Sequence, residues 1–461
     1  MTHLLIIGGS DAGISAALRA REVNAAAAVT VVVADAFPNY SICGLPFFLS
    51  GEVPDWRNLA HRTASEIESE GIRLLLKHTA QTIDPTSKTV QLLSAEGKHL
   101  HLPYDKLVIA TGAVPSRPAI AGLELPGVFF FGTMAASFAI HQHLLSHKPR
   151  LVVIIGGGYS GLEMAEALSV RGVATTIIEQ AKTVLKTVDT SLGEQVGAVL
   201  KHNGVQVNTS VTVEAIKPEG TQLRVFGSPA FDTVADMVLI SVGVTPLIDL
   251  AKTAGVTTGM RSALKVNRQM ETNLPDIYAA GDCVETWHRV RNQAVYLPLV
   301  TTAHKQGRVA GENAVGGQQS FAGSLGTQVV KIFDLAIAQT GLNDTAAAEA
   351  GFDPVTVETE VWDHKVYYPE AHPLRIRVTG DRQNGRLLGA QMAGHYQAEV
   401  AKRIDIFATA LFHGMTVEAL SALDLSYTPP LSSPWDPVQM SAQAWSKQGF
   451  PAIVQQPESL P

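Results

Sequence analysis

The chain has 461 residues, room for about three domains at ~150 residues each. It is 46% hydrophobic and 17% charged, a balance that supports an ordinary globular core and argues against disorder. Its formal charge of −7 argues against nucleic acid or an anionic membrane as a main partner, because both select basic surfaces.

No apolar run approaches the ~20 residues of a membrane span. No charged leader with an apolar stretch and a cleavage site opens the sequence, so export is not expected. The two cysteines, Cys43 and Cys283, make no disulfide framework, and a reducing, cytoplasmic setting follows.

The first unit, "HLLIIGGSDAGISAALRAREVNAAAAVTVVVAD", reads as strand, glycine turn, alanine-rich helix and β-branched strand. Its turn is Gly8-Gly9-Ser10-Asp11-Ala12-Gly13, a G-x-G-x-x-G with serine at the middle glycine. Such turns bring backbone close to a pyrophosphate at the helix N-terminus. The ribose-binding acid expected some 20 residues on is replaced by Val33, and Asp35 is the candidate substitute. Next comes "PNYSICGLPFFLSG", which carries Cys43 before a glycine and a proline. Further on, "TVQLLS" and "LRVFGS" alternate as strands do, and "ATGAVPSRP" holds Thr111 and Gly112.

A second strand–turn–helix–strand unit, "LVVIIGGGYSGLEMAEALSVRGVATTIIE", begins at residue 151. Here the motif is complete, with Gly156, Gly158, Tyr159 and Gly161 in the turn and Glu179 ending the next strand. A carboxylate at that strand end accepts from ribose hydroxyls and repels a 2′-phosphate, which favours NADH over NADPH. Gly243, Gly281 and Asp282 of "AAGDCVET", and Thr302 in the following helix pattern, complete the candidate nucleotide contacts. Cys283 reads as a small core filler. The glycine-rich "NAVGGQQSFAGSLG" is the candidate linker, and from residue 326 antiparallel strands and helices follow with no further phosphate turn.

This order resembles the pyridine nucleotide-disulfide oxidoreductases along essentially the whole chain. The resemblance implies an α/β protein with two Rossmann-like dinucleotide-binding domains, for FAD and NAD(P), plus a C-terminal α+β dimerisation domain. The implied layout is 1–115 and 251–325 for FAD, 116–250 for NAD(P), and 326–461 for dimerisation. It also implies that Asp282 binds the FAD ribitol and that Glu163 lines the nicotinamide pocket.

No second cysteine stands at a CxxxxC spacing, and the C-terminal histidine-proline base of the two-cysteine enzymes is missing. What remains resembles the single-cysteine branch of coenzyme A-disulfide reductases, NADH oxidases and peroxidases, and persulfide reductases. There a thiolate of depressed pKa over the flavin is the nucleophile, which places Cys43 in that role. The oxidases and peroxidases carry a histidine where this chain has Asp11. The coenzyme A enzymes carry two tyrosines donated by the other subunit, in "YYP"-like and "YxPP…WDP" segments. "VYYPEAHPL" and "YTPPLSSPWDPV" put Tyr367, or its neighbour Tyr368, and Tyr427 there.

Ile42 departs from the asparagine of those enzymes. Arg19, Arg21 and Arg62 are candidates for a substrate phosphate, against a prevailing reading as surface arginines. The expectation is a homodimeric, FAD-dependent NAD(P)H reductase of coenzyme A disulfide, a related small disulfide or a persulfide. The alternatives are an NADH oxidase or peroxidase using a cysteine sulfenic acid, and an NADH-binding flavoprotein switch with little turnover.

Overall fold

The computed structural model describes residues 2–448. It divides into two compact units, residues 1–180, 211–287 and 293–324 in one, and the remaining segments in the other.

The first unit holds two parallel sheets. In one, the strands run in the order Ile277–Ala279, Lys106–Ile109, His3–Ile7, Ala28–Val33, Ile72–Leu76. Its central strand, "HLLII", is apolar on both faces, as a strand covered on both sides must be. Leu4, Leu5 and Ile6 are fully buried. The other parallel sheet includes Ala174–Ile178, Leu151–Ile155, Met237–Ile240 and Val128–Phe130, in that order. "TVQLLS" and "LRVFGS" lie in two three-stranded antiparallel sheets, where alternate side chains meet the core.

Both glycine turns end a central strand and start a helix, Asp11–Val23 in the first sheet and Tyr159–Val170 in the second. The two are built alike. Gly8 has φ +123° and Gly156 has φ +113°, and a Cβ there would lie 2.0 Å from Ala110 O and 2.1 Å from Ser241 O. Only glycine fits both the backbone angle and the approach.

The expected linker does not run free. Asn313 Nδ2 donates to the carbonyls of Gln269 and Gln319, its Oδ1 accepts from Gln319 N–H, and Phe321 is buried. Glycines spare the stretch regular structure, while one buried amide anchors it.

The second unit centres on a five-stranded antiparallel sheet, ordered Gln328–Ile332, Leu335–Gly341, Leu387–His395, Pro373–Asp381, Pro354–Trp362. Helices Val400–Phe412 and Pro437–Ser446 contribute Phe407, Leu411 and Trp445 to its core. Residues 181–210 belong to this unit, with Asp189 capping helix Thr190–His202 and pairing with Arg377 at 3.0 Å.

One element is shorter than its sequence suggests. The strand pattern "VTVETEVWDHKVYYP" stops at Trp362. Asp363 Oδ1 accepts from the N–H groups of both His364 and His372, which closes a loop at its base. Tyr367 and Tyr368 stand in that loop rather than at a strand end.

Candidate active site

Cys43 lies in a single helical turn, Ile42–Gly44, that leads straight into helix Leu45–Ser50. Ser41 Oγ accepts from Gly44 N–H at 3.2 Å and fixes this turn. The preceding loop is held on the first glycine turn, where Asn39 N–H donates to Gly9 O at 2.7 Å. Phe37, Tyr40, Trp56 and Phe138 support it as a cluster of rings with centroids 5.2–5.8 Å apart. At the other end of the short helix, Arg171 Nη1 donates to Leu49 O at 2.8 Å. This last support has no local sequence signal, since Arg171 and Leu49 lie 122 positions apart.

The thiol of Cys43 is solvent-exposed, yet enough protein surrounds it for desolvation to be the largest influence on its ionisation. The charges of Glu163, Asp11 and Asp282 act in the same direction and raise its pKa further. A depressed thiol pKa is the sequence expectation, and the protein alone does the opposite. The reason is physical: burial disfavours the charged form, and three carboxylates add to that by disfavouring a fourth negative charge. Against these, a backbone hydrogen bond at Cys43 itself acts to lower the pKa, as a lesser influence.

Those carboxylates come from three different motifs. Asp11 begins the helix after the first glycine turn, and Glu163 sits in the first turn and a half of the helix after the second. Asp282 follows the strand Ile277–Ala279. Desolvation and then Glu166 push the pKa of Glu163 up to about 7. Desolvation and then Asp11 push Asp282 up to about 6. No group among the described residues hydrogen-bonds the Asp282 carboxylate, while the Asp282 carbonyl accepts from Tyr296 Oη at 3.0 Å.

The first nucleotide turn has the shape a pyrophosphate needs. Gly8, Gly9 and Ser10 precede the helix, Asp11, Ala12 and Gly13 form its first turn, and the Ser10 side chain makes no capping bond. A Cβ on Gly13 would lie 1.9 Å from Gly8 O, so the helix starts hard against the strand end. Gly281 N–H donates to the buried Gln306 Oε1 at 3.0 Å, a support with no motif to announce it. Thr302 is buried and donates to Ser324 Oγ, Thr111 donates to Leu247 O, and Gly112 has φ +70°. Asp35 is exposed just past the strand end, with its pKa raised by desolvation and its Oδ1 accepting from Phe37 N–H.

In the second turn, Gly158 stands at the N-cap with no side-chain cap, and Tyr159 opens the helix. Gly161 packs on Gly156 O as Gly13 does on Gly8 O. Glu179 Oε2 accepts from Gly157 N–H at 2.7 Å, which sets the carboxylate beside the turn. Gly243 accepts from Ser116 N–H, and φ there is +101°.

The tyrosines lie in the second unit. Tyr367 is 74% exposed and Tyr427 44% exposed, and the two phenols act on each other electrostatically. Desolvation and then the neighbouring Tyr367 phenol raise the pKa of Tyr427. Two phenols 60 positions apart in sequence are thus neighbours, while Tyr368 instead packs edge-on to His364.

The candidate phosphate arginines divide. Arg19 is taken up by Glu22 and Glu312 at 2.8 and 2.7 Å. Arg21 is taken up by the carbonyls of Glu70, Ala25 and Ala27. Both serve the fold. Arg62 is exposed. Cys283 is fully buried and its thiol donates to main-chain carbonyls, so it is a core residue.

Residues 2–307 match the family model of the pyridine nucleotide-disulphide oxidoreductases, and residues 327–437 match the dimerisation domain of the same family. The chain belongs to the pyridine nucleotide-disulphide oxidoreductase family. The NAD(P)H coenzyme A polysulfide/persulfide reductase of Pyrococcus horikoshii is 34% identical over 443 residues, covering 95% of this chain and 97% of the relative. The NADH oxidase of Methanocaldococcus jannaschii is 32% identical over 441 residues, covering 95% and 97%. Among solved structures, the NAD-dependent persulfide reductase from A. fulgidus aligns with a TM-score of 0.93 and 36% identity, over 97% of this chain and 83% of that one.

Members of this pyridine nucleotide-disulphide oxidoreductase family are flavoprotein oxidoreductases that use FAD and NAD(P)H, and the residues of this chain fit both. The fit rests on two uncapped helix starts behind glycine turns and on a desolvated, unpartnered Asp282. As in other family members with a dimerisation domain, a homodimer is the supported assembly. No helix among the described residues is long and apolar enough to cross a membrane.

Proposed function

We propose that this chain is an NAD(P)H-dependent reductase of small disulfides or persulfides that acts through Cys43. The observation that carries the reading is the convergence of Asp11, Glu163 and Asp282 on one exposed thiol. Each belongs to a different candidate nucleotide-binding motif, which supports a sulfur within reach of electrons from both nucleotides.

In this reading Gly8, Gly9, Ser10, Asp11, Ala12, Gly13, Asp35, Thr111, Gly112, Gly281, Asp282 and Thr302 would hold FAD. Gly156, Gly158, Tyr159, Gly161, Glu163, Glu179 and Gly243 would hold the pyridine nucleotide, with NADH preferred. FAD, when bound, supplies the two-electron relay between nicotinamide and sulfur.

The Cys43 thiolate attacks one sulfur of a disulfide RSSR, the S–S bond breaks, and one RSH leaves after taking a proton. Two electrons from NADH and one further proton then free the second thiol and restore Cys43, so that NADH + H⁺ + RSSR gives NAD⁺ + 2 RSH. With a persulfide RSSH the products are RSH and H₂S. Tyr427 and Tyr367 would cross from the partner subunit and protonate the leaving thiolate.

The exposed Trp362, Val366, Leu431 and Trp435 surround those tyrosines in sequence and suit an interface between two copies. The four-segment layout by residue number and a cytoplasmic setting complete the proposal; two free cysteines agree with the latter.

The coenzyme A form of the substrate rests on the likeness to relatives named for it, because Ile42 stands before Cys43 where the coenzyme A enzymes carry asparagine. A second reading, an NADH oxidase or peroxidase, draws on the similar M. jannaschii protein and on Asp11 beside the thiol. A peroxide would then oxidise Cys43 to a sulfenic acid with release of water.

Anaerobic reduction with NADH, followed by disulfide and mass analysis, separates the two. Cys43→Ser is expected to keep flavin reduction by NADH and to lose disulfide turnover by at least ~1000-fold. Full disulfide turnover in that variant refutes the assignment. A sulfenic acid in place of a mixed disulfide moves the chemistry to peroxide.

A further inference from the structure

Arg403, in helix Val400–Phe412, is 4% exposed. Its Nη1 donates to Asp436 Oδ2 at 2.8 Å, and its Nη2 to the carbonyls of Asp363 at 2.8 Å and Leu431 at 3.3 Å. These acceptors belong to two separate loops. Asp363 closes the base of the loop that carries Tyr367. Leu431 and Asp436 follow Tyr427 in the next, where Ser432 Oγ also donates to Asp436 Oδ2 at 2.9 Å. Lys365 N–H reaches Pro429 O at 3.4 Å, the remaining main-chain link between the loops among the bonds described. One guanidinium therefore fastens both tyrosine-bearing segments.

The fastening is costly as a source of stability. Arg403 Nε is buried with no acceptor among the described residues, and a buried ion pair often contributes less than apolar packing of the same volume. What a planar fork offers here is geometry, since it reaches three acceptors from two nitrogens in fixed directions, whereas a lysine's donors all radiate from one atom.

We propose that Arg403 is the positioning residue that holds the loops of Tyr367 and Tyr427 together and so keeps the two phenols side by side. It touches neither phenol and acts through the two loops. The catalytic part of this statement rests on the reading that the phenols serve Cys43 chemistry, while the structural part does not.

The test is Arg403→Lys in the full-length, FAD-loaded protein, with tyrosines labelled at ¹³Cζ. The expected result has three parts. The Tyr367 and Tyr427 resonances move to positions of free, exposed phenols. Flavin reduction by NADH keeps its rate, while kcat for coenzyme A disulfide falls about 10-fold or more. Adding Arg403→Lys to the Tyr367→Phe, Tyr427→Phe double variant then costs nothing further, because the same interaction is already gone.

Unmoved tyrosine resonances overturn the proposal, as does a loss that adds to that of the double variant. Ser432→Ala removes one donor to Asp436 and is the milder lesion if Arg403→Lys fails to fold. It is expected to move both resonances part-way, and no movement overturns the proposal equally. If the double phenylalanine variant itself keeps full turnover, the role of the phenols in disulfide chemistry fails. The resonances still decide the role of Arg403.

Discussion

Replacing Glu163 by glutamine should stabilise the protein at alkaline pH and do nothing for it in acid. Its carboxyl has an ordinary pKa of 4.5, which the fold raises to about 7, chiefly by desolvation and then by the charge of Glu166. A rise of about 2.5 units, at 1.36 kcal/mol per unit, amounts to about 3 kcal/mol of folding free energy given up when the group is ionised.

The sign follows from proton binding. Between pH 4.5 and about 7 the folded state holds a proton that the unfolded state has released, so stability falls as pH rises through that window. Above it the full penalty applies, and below it none. Glutamine carries no charge at any pH. The variant should therefore exceed the parent by about 2–3 kcal/mol at pH 8 and match it at pH 4.5.

Urea unfolding of both proteins at equal concentration and with excess FAD reads this directly, since cofactor and dimer contributions then cancel. An equal difference at pH 4.5 and pH 8, or no gain at pH 8, would refute the reasoning. A protonated-carboxyl infrared band that titrates near pH 7 in the parent and is missing in the variant locates the effect at this residue.

Two further outcomes follow from the same site. Glu179→Ala removes the carboxylate beside Gly157 N–H and is expected to shift the kcat/KM ratio of NADH over NADPH by about 10–100-fold toward NADPH, measured by steady-state flavin turnover. An unchanged ratio would place the ribose elsewhere. Arg171→Ala takes the donor from Leu49 O and should loosen helix Leu45–Ser50 by about 1–2 kcal/mol, seen as faster amide exchange at residues 45–51 with no change elsewhere.

The strands, glycine turns and helices of both nucleotide units were legible because each is a local pattern with its own period and punctuation. So was the candidacy of Cys43, which rests on two motifs and an unpaired thiol. Its raised pKa was not legible, because it depends on Asp11, Glu163 and Asp282 meeting in space from three distant stretches. The same holds for Arg403 with Asp436, a pair that no spacing rule links. "VWDHKVYYP" misled in a different way. Its β-branched and aromatic residues favour a strand, and the turn at Asp363 wins through side-chain bonds to two N–H groups. Arg19 and Arg21 looked available for a ligand because sequence shows a charge without its internal partners.

The first parallel sheet has an implication for how the protein comes into being. Its edge strand Ile277–Ala279 joins Lys106–Ile109 across about 170 residues of intervening chain. At roughly 5–20 residues per second of synthesis, the earlier strand waits some 10–30 s on the ribosome for its neighbour. During that wait Leu107, Val108 and Ile109 present an unpaired apolar edge, while the inserted second sheet has every strand it needs close at hand. The sheet encoded in the middle is thus set to mature before the one that begins the chain. A nascent protein would complete the sheet of the second glycine turn first, and that of the first glycine turn only after residue 279 has emerged.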